Sequence, residues 1–327
     1  MISDLGNAIH TILISFSLTI ASLVFFLNSP VSSFVLDKPN ARSLHTNHVP
    51  RIGGLALVLG VVTAWVVAGI ESKWILFVLC LMSVSLVDDL RGLSVRWRLL
   101  AQMAVSACFM WFYLPNLAWW LVPVALFGLV WMTNLYNFMD GSDGLAGGMA
   151  VFGFGAFAVA AYSAQNMQLA QMCGAIVASS LAFLIFNFYP AKIFMGDAGS
   201  IPLGFLAGAI GLFGWQQGVW PLWFPVLVFS PFIVDATMTL LKRAMNGEKV
   251  WQAHKAHYYQ RLVLMGWGHK KTALAEYVLM LLACSSAILV LKAPTFWLYA
   301  LLLLWVFIFL WLMFLVDKHW KLHLPSP

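Results

Sequence analysis

Long apolar segments alternate with short polar segments over the whole chain. An apolar window of roughly 20 residues is long enough to cross a bilayer as a helix. This criterion predicts membrane-spanning helices at 9–27, 54–70, 74–87, 99–114, 119–137, 149–164, 170–189, 201–216, 221–241, 273–291 and 295–316. No repeat of fixed period and no low-complexity linker divides them, so we expect one domain over residues 1–327. The pattern therefore predicts an all-α, polytopic bundle of about 11 (10–11) transmembrane helices.

Composition supports this interpretation, and the distribution of charge predicts the orientation. The chain is 62% hydrophobic and only 9% charged, which is too apolar for a soluble core. The segments after odd-numbered spans hold 16 of the 18 lysines and arginines, and only Lys73 and Lys292 lie on the other side. The positive-inside rule then puts those segments in the cytoplasm and the N-terminus outside the inner membrane. Since membrane orientation accounts for the formal charge of +6, we expect no nucleic-acid partner.

Three acidic motifs follow odd-numbered spans and therefore share the predicted cytoplasmic face. They contain Asp88 with Asp89, Asp140 with Asp143, and Asp197. Five carboxylates on one face of a bundle repel one another unless a cation or a group of basic side chains neutralises them. Mg²⁺ together with substrate phosphates is a common solution for hard oxygen ligands. This shared placement is the main reason to expect an active site here.

Each acidic motif also has a purely structural explanation. The pair at 88–89 is consistent with a solvated helix end, and Asp197 or Ser200 is consistent with an N-cap of the following helix. A glycine-rich turn explains the glycines of 134–148, but it does not explain why Asn134 and Asn137 join the two aspartates at the membrane edge. This middle motif is therefore the most specific of the three.

Two basic stretches are further candidates. His254 and His257 have helical i, i+3 spacing, but two histidines without a nearby cysteine do not close a zinc site. Contact with phosphate or sugar is the better interpretation, and a basic helix that attracts anionic lipid is the alternative. Arg51 lies in a basic turn for which simple membrane anchoring is equally consistent. Asp235 has a structural and a catalytic interpretation, which are equally consistent with the sequence. It can pair with Lys242 or support helix packing, or it can act in catalysis.

Taken together, four motifs resemble the polyprenyl-phosphate N-acetylhexosamine-1-phosphate transferases, or glycosyltransferase family 4. These are Asp88-Asp89, NxxNxxDGxDGLAG from Asn134, NxxPAxxFMGDxGS from Asn187, and HxxHxxQR from His254. The resemblance implies a membrane enzyme with an active site on the cytoplasmic face that moves a sugar-1-phosphate from a UDP-sugar to undecaprenyl phosphate. It also implies Mg²⁺, with Mn²⁺ as an alternative, and release of UMP.

The resemblance also implies a role for each matched residue. Asp88, Asp89 and Asp140 are expected to be catalytic, and Asp197 and Asp88 are expected to bind the metal ion. The residues expected to bind nucleotide or substrate are Asn134, Asn137, Asp143, Asn187, Phe194, Lys38, Arg51, His254, His257 and Arg261.

Two departures from the family pattern narrow the expected substrate. The aspartate-rich motif is often DDxxD, and Gly92 occupies its last position here. The triple histidine of phospho-N-acetylmuramoyl-pentapeptide transferase is absent, with His254-Lys-Ala-His257 in its place. We therefore favour the branch that transfers GlcNAc, FucNAc or QuiNAc phosphate for O-antigen, lipopolysaccharide or other surface polysaccharides. The muramoyl-pentapeptide activity remains the alternative.

The chemistry fits this resemblance, with some alternatives left open. A lipid phosphate is largely dianionic at neutral pH and can attack the β-phosphorus directly. An aspartyl-phosphate intermediate is the competing scheme.

A transporter or flippase is the alternative of another class, and it predicts carboxylates near mid-bilayer and an inverted repeat. The lipid bilayer is an expected partner. The sequence leaves open whether two copies of the chain form a homodimer.

Overall fold

The computed structural model describes residues 2–30, 36–37, 48–252 and 254–323, and within these ranges it is almost entirely helical. Its helices are α1 (Ile2–Asn28), α2 (Gly53–Val67), α3 (Ser72–Arg91), α4 (Val95–Tyr113), α5 (Val122–Phe138), α6 (Leu145–Ser163), α7 (Met167–Asn187), α8 (Asp197–Gln216), α9 (Trp223–Val228), α10 (Ser230–Met245), α11 (Tyr258–Leu262), α12 (Gly268–Val290) and α13 (Thr295–His323). A 3₁₀ turn at Trp119–Leu121 leads into α5, and a π turn at Val263–Trp267 joins α11 to α12. Two short strands, β1 (Leu36–Asp37) and β2 (Val49–Pro50), pair antiparallel.

The predicted all-α, polytopic membrane fold is confirmed, and each predicted span coincides with helical structure. Among the described residues, 7 helical segments are long and apolar enough to cross a membrane. They are Gly6–Asn28, Trp119–Phe138, Leu145–Ser163, Met167–Asn187, Asp197–Gln216, Tyr258–Val290 and Thr295–His323. The predicted spans at 54–70, 74–87, 99–114 and 221–241 are not among these seven, and α2 is a shorter apolar helix, so the total of eleven membrane crossings stays a prediction.

Two helix ends differ from the predicted bounds in a way that matters for the site. The third span continues as α3 through both aspartates to Arg91, and Gly92 ends it with a φ of 68°. The eighth begins at Asp197, four residues earlier than expected, directly after Gly196 with a φ of 70°. Glycine accepts such positive φ values without steric cost. The acidic side chains therefore project from helix ends rather than from free loops.

Helix α8 lies at the centre of the bundle and packs against α2, α3 and α5. Small residues bring the backbones together: a Cβ on Gly54 would lie 2.4 Å from the Cα of Gly199. A Cβ on Gly204 would lie 2.8 Å from the carbonyl oxygen of Thr133 in α5. Small residues commonly allow such close approach between membrane helices. Because α2, α5 and α8 pack so closely, the polar residues at their ends are held near one another.

Candidate active site

Two arginines link three of the predicted carboxylates. Arg51 Nη2 lies 3.8 Å from Asp89 Oδ1 and 3.6 Å from Asp197 Oδ1. Arg98 Nη1 lies 2.7 Å from Asp88 Oδ2 and 3.4 Å from Asp197 Oδ2. Asp197 therefore contacts both arginines, and the motifs at the ends of α3 and α8 meet although they are distant in sequence.

Asp88 and Asp89 are adjacent in sequence but have different surroundings. Asp88 Oδ1 accepts a hydrogen bond of 2.6 Å from the backbone N–H of Leu93, and Oδ2 pairs with Arg98. Both oxygens of Asp88 are thus engaged in holding the turn between α3 and α4. The Asp89 side chain is 6% exposed, and its Oδ2 has no hydrogen-bond partner among the described residues. Since a buried polar atom is normally satisfied, this oxygen is a candidate for binding a cation or a substrate.

Asp140 joins this group from the turn between α5 and α6. Burial raises its pKa well above the usual range for a carboxyl group, the guanidinium of Arg51 opposes the rise, and the charges of Asp197 and Asp89 add to it. The carboxylates therefore carry more negative charge than Arg51 alone neutralises. A divalent cation would stabilise the ionised form of all three.

The carboxylate oxygens of these aspartates are chemically suited to bind Mg²⁺ or Mn²⁺. Within the ranges that the structure describes, no three His, Cys, Asp or Glu side chains already form a metal-binding set. Asp89 Oδ2 nevertheless lacks a partner in the part of the chain that the structure describes, and hard carboxylate oxygens are the ligands that Mg²⁺ prefers. Asp89, Asp140 and Asp197 are the residues that would hold the ion. The metal-ligand role predicted for Asp88 fits Asp89 better, because Arg98 and Leu93 occupy both Asp88 oxygens.

A cavity of about 1170 Å³ opens next to these carboxylates. The predicted site residues that line it are Arg51, Asn134, Asn137, Asp140, Asp143, Asn187, Phe194, Asp197, His254 and His257. Asp88 and Asp89 contact its arginines without lining it. Lys38 lies outside the described residues. The structure thus gathers most of the predicted residues around a single cavity.

One wall of this cavity is apolar. It is formed by Val95, Leu99, Phe127, Val130, Trp131 and Leu240. Phe127 is 67% exposed in the isolated chain, on the surface of a membrane protein where lipid replaces water as the solvent. The cavity therefore combines a charged end with a side that is suited to hydrocarbon.

The predicted amide residues hold the framework of the site. Asn187 Oδ1 accepts from the backbone N–H of Gly144 at 3.0 Å, while its Nδ2 donates to the carbonyl of Ile193. Asn137 Oδ1 accepts from Ser200 Oγ at 2.8 Å. Asn134 Nδ2 donates to Gln102 Oε1. The Asn187 contacts fix loops beside the cavity, and the other two join α5 to α4 and α8, so the amides position the site as well as line it.

The loop before α8 is also tied to the turn that carries Arg51. The backbone N–H of Phe194 donates to the carbonyl of Pro50, and its carbonyl accepts from Gly53 at 2.9 Å. The N-cap of α8 is Gly196 and has no side-chain cap. The capping alternative for Asp197 is therefore not observed, and its carboxylate faces Arg51 and Arg98 instead.

His254 and His257 line the cavity from the segment before α11, not from within a helix. His257 is buried, and its Nδ1 lies 3.2 Å from Asp235 Oδ1. Asp235 also accepts the backbone N–H groups of Tyr258 and Tyr259, so it anchors the start of α11 rather than pairing with Lys242. Burial is the main cause that lowers the pKa of His254 to about 4, and the charges of His257 and Arg243 contribute to the same shift. His254 is thus neutral at physiological pH in the absence of substrate.

Arg261 is the predicted site residue that the structure places elsewhere. Its Nη1 donates to Asp317 Oδ1 at 2.8 Å, and its guanidinium lies 4.9 Å from the centre of the Tyr258 ring. Lys242 also bonds to Asp317. Helix α11 thus directs Arg261 towards α13, where a carboxylate holds it, and it does not line the cavity.

This difference predicts unequal effects of two arginine substitutions. We expect Arg51→Ala to lower kcat/KM for the reaction that the motif resemblance implies by about 100-fold, because it removes a cation from Asp89 and Asp197. Arg261→Ala should stay within about threefold of wild type, because it breaks only a partly exposed pair. Initial rates with purified protein measure both. Equal losses of kcat/KM in the two variants would show that Arg261 also acts at the site.

Sequence reasoning missed a group of residues around Asp143. Ser142 Oγ lies 2.9 Å from His269 Nδ1, and His269 lines the cavity. His269 also stacks on Tyr189, with an angle of 11° between the rings. His269 lies in a lysine-containing segment, and no motif spacing links it to Asp143, which is 126 positions away. Only the packing of α12 against α6 brings them together.

Membrane-spanning helices with carboxylates and arginines gathered at one end of the bundle define a polytopic membrane protein with a polar functional site. Residues 72–214 match the family model described as Glycosyl transferase family 4. The chain is 31% identical over 295 residues to the probable undecaprenyl-phosphate N-acetylglucosaminyl 1-phosphate transferase of Bacillus subtilis, covering 84% of this chain and 82% of that protein. This chain therefore belongs to glycosyl transferase family 4, the family of polyprenyl-phosphate sugar-1-phosphate transferases.

Phospho-N-acetylmuramoyl-pentapeptide-transferases are also similar to this chain. The protein of Listeria monocytogenes is 33% identical over 205 residues, which is 54% of this chain and 62% of that protein. The protein of Geobacillus kaustophilus is 29% identical over 253 residues, which is 67% of this chain and 76% of that protein. The likeness to the N-acetylglucosaminyl relative extends over more of both chains.

Proposed function

We propose that the protein transfers an N-acetylhexosamine-1-phosphate from a UDP-sugar to undecaprenyl phosphate, with release of UMP. The reaction takes place at the cytoplasmic face of the inner membrane and starts the synthesis of O-antigen or another surface polysaccharide. The observation that carries this proposal is the amphiphilic cavity. Its charged end suits a diphosphate and a lipid phosphate, and its apolar wall suits a prenyl chain.

GlcNAc is the first donor that we propose. The N-acetylglucosaminyl relative supports it by covering more of the chain than the muramoyl-pentapeptide relatives do. The sequence also has His254-Lys-Ala-His257 where the muramoyl-pentapeptide enzymes have three histidines. FucNAc and QuiNAc belong to the same proposed class of donor.

The lipid phosphate attacks the β-phosphorus directly in this proposal. One lipid phosphate oxygen forms a bond to the β-phosphorus, the bond from that phosphorus to the bridging oxygen breaks, and UMP leaves with that oxygen. Arg51 and Arg98 each lie between carboxylates and can turn to phosphate oxygens, which suit guanidinium groups. Asp89 orients the lipid phosphate, and it accepts the remaining proton from the fraction that enters as a monoanion, since its Oδ2 has no other partner among the described residues.

A bound Mg²⁺ at Asp89, Asp140 and Asp197 would neutralise charge on the diphosphate and on the departing UMP. The chain itself keeps these three carboxylates together through the packing of α3 and α5 against α8. Asn137 lies beside this group, where its Oδ1 accepts from Ser200. The protein's part is therefore to position charge in advance of the reaction, which is the larger share of catalysis for phosphoryl transfer.

A direct assay tests this proposal. Purified protein is supplied with undecaprenyl phosphate and a panel of radiolabelled UDP-N-acetylhexosamines, with Mg²⁺, with Mn²⁺ or with EDTA. We expect a lipid-linked product with UDP-GlcNAc that requires the metal ion. Absence of product from every donor, with folded protein, would refute the transferase function. A product only with UDP-N-acetylmuramoyl-pentapeptide would reassign the donor.

A further inference from the structure

Helix α12 contacts the turn between α5 and α6 at two points. His269, in its first turn, lies at Ser142 and Asp143, and Tyr277 Oη donates to the carbonyl of Gly144 at 2.7 Å. Tyr277 does not line the cavity, whereas His269 does. The two contacts hold the same turn, but only the first reaches a residue that faces the cavity.

The hydrogen bonds determine the tautomer of His269. The backbone N–H of Asp143 donates to His269 Nδ1 at 3.3 Å, so this nitrogen carries a lone pair. Ser142 Oγ, 2.9 Å away, then donates to the same atom. A neutral ring with its proton on Nε2 satisfies both contacts. His269 therefore acts as an acceptor for two consecutive residues of the turn.

These contacts leave the two oxygens of Asp143 in different roles. Oδ2 accepts from the backbone N–H of Ala191 at 3.0 Å. Oδ1 lies 3.6 Å from His269 Nδ1, which is too far for a hydrogen bond, and a lone pair on that nitrogen cannot donate one. His269 thus holds the main chain and Ala191 holds one oxygen. The other oxygen is the one that can accept an N–H or O–H from a ligand.

We propose that His269 is a positioning residue. It holds the Asp143 carboxylate where that group can contact the nucleoside portion of the donor. This inference rests on the proposed function, together with the nucleotide-binding role that the motif resemblance implies for Asp143. His269 fixes where the Asp143 main chain lies, and the ring of Tyr189 stacks on the imidazole and fixes its plane. Loss of the Nδ1 acceptor releases the Ser142–Asp143 turn. In the proposed function the reacting phosphates contact other residues, so we expect weaker donor binding and an unchanged chemical step.

Substitutions that move the acceptor test this inference. Leucine removes it, glutamine places an acceptor farther out near the Nε2 position, and asparagine keeps one close to the Nδ1 position. We expect His269→Leu and His269→Gln to raise KM for the UDP-sugar about tenfold, with kcat and KM for undecaprenyl phosphate within about threefold of wild type. His269→Asn should restore KM to within about threefold of wild type. Equal KM values for asparagine and glutamine would overturn the inference, and this comparison stands even if the leucine variant does not fold.

Tyr277→Phe is the matched control. It removes one hydrogen bond from the same helix to the same turn, at Gly144 instead of Asp143. We expect a lower melting temperature and an unchanged KM for the UDP-sugar. A rise in KM equal to that of His269→Leu would mean that general loosening of the turn, and not the position of Asp143, controls binding.

Calorimetric binding of UMP separates this inference from the proposed function. A wild type that binds UMP but transfers no sugar would refute the transferase, and the His269 variants would still be ranked by their UMP affinity. A wild type that transfers sugar while all His269 variants keep its UMP affinity would refute only the positioning role. A wild type that neither binds UMP nor transfers sugar would refute both.

Discussion

Asp197→Asn is expected to lower kcat/KM for sugar-phosphate transfer by about 1000-fold. Asp197 is the one carboxylate that contacts both Arg51 and Arg98 among the described residues, and its charge also reaches Asp140. Asparagine keeps the shape of the side chain but removes the negative charge. The arginines then lose the carboxylate that they share, and the proposed metal ion loses a ligand. Initial rates over a range of Mg²⁺ concentrations measure the effect.

Asp317→Asn is the control for this prediction. Asp317 is also a carboxylate held by two basic side chains, Lys242 and Arg261, but it lies outside the cavity. We expect kcat/KM within about threefold of wild type, because a partly exposed ion pair contributes little. A loss at Asp317 comparable to that at Asp197 would show that activity depends on the general stability of this end of the bundle.

The second large effect is a difference between two adjacent aspartates. Asp89→Asn should lower kcat/KM by about 100-fold or more, because its unpartnered oxygen is the one available to metal ion or lipid phosphate. Asp88→Asn should lower it by less than about tenfold and should reduce the melting temperature instead. Asparagine at 88 still accepts from Leu93 but loses the charge that pairs with Arg98. Activity and thermal unfolding of both variants provide the test.

Metal dependence makes this comparison sharper. A lost metal ligand should raise the Mg²⁺ concentration needed for half-maximal activity, by about 10-fold or more in Asp89→Asn and little in Asp88→Asn. The opposite order would support the sequence-based assignment of Asp88 as the metal ligand. A loss of activity at 89 without a change in metal requirement would favour a role in orienting the lipid phosphate alone.

Two arginines explain how the protein folds with so many carboxylates in one place. Arg51 comes from the turn before α2 and Arg98 from the first turn of α4, and each lies between two aspartates. Both also line the cavity, where a phosphate would compete for them. The same side chains can therefore stabilise the empty site and contact substrate when it enters.

The sequence by itself determined the membrane fold and the set of motifs. Apolar segments of membrane length are a local property, so each predicted span coincides with helical structure, and the span at 221–241 covers both α9 and α10. The order of those spans put the motifs at 88–89, 134–148 and 194–200 on one face, and the structure brings them together. Sequence alone also identified many of the polar residues around the cavity, because they belong to the motifs at 134–148 and 194–200.

Tertiary structure decided which partner each side chain has. Asp88 and Asp89 look equivalent in sequence, yet the turn into α4 engages one and leaves an oxygen of the other unpartnered. Arg261 is the last residue of a site motif, yet it pairs with Asp317 of α13. His269 has no motif, yet it holds the Asp143 turn. Helix formation and membrane insertion depend on neighbours along the chain, whereas hydrogen bonds and ion pairs depend on segments that only packing brings within a few ångströms.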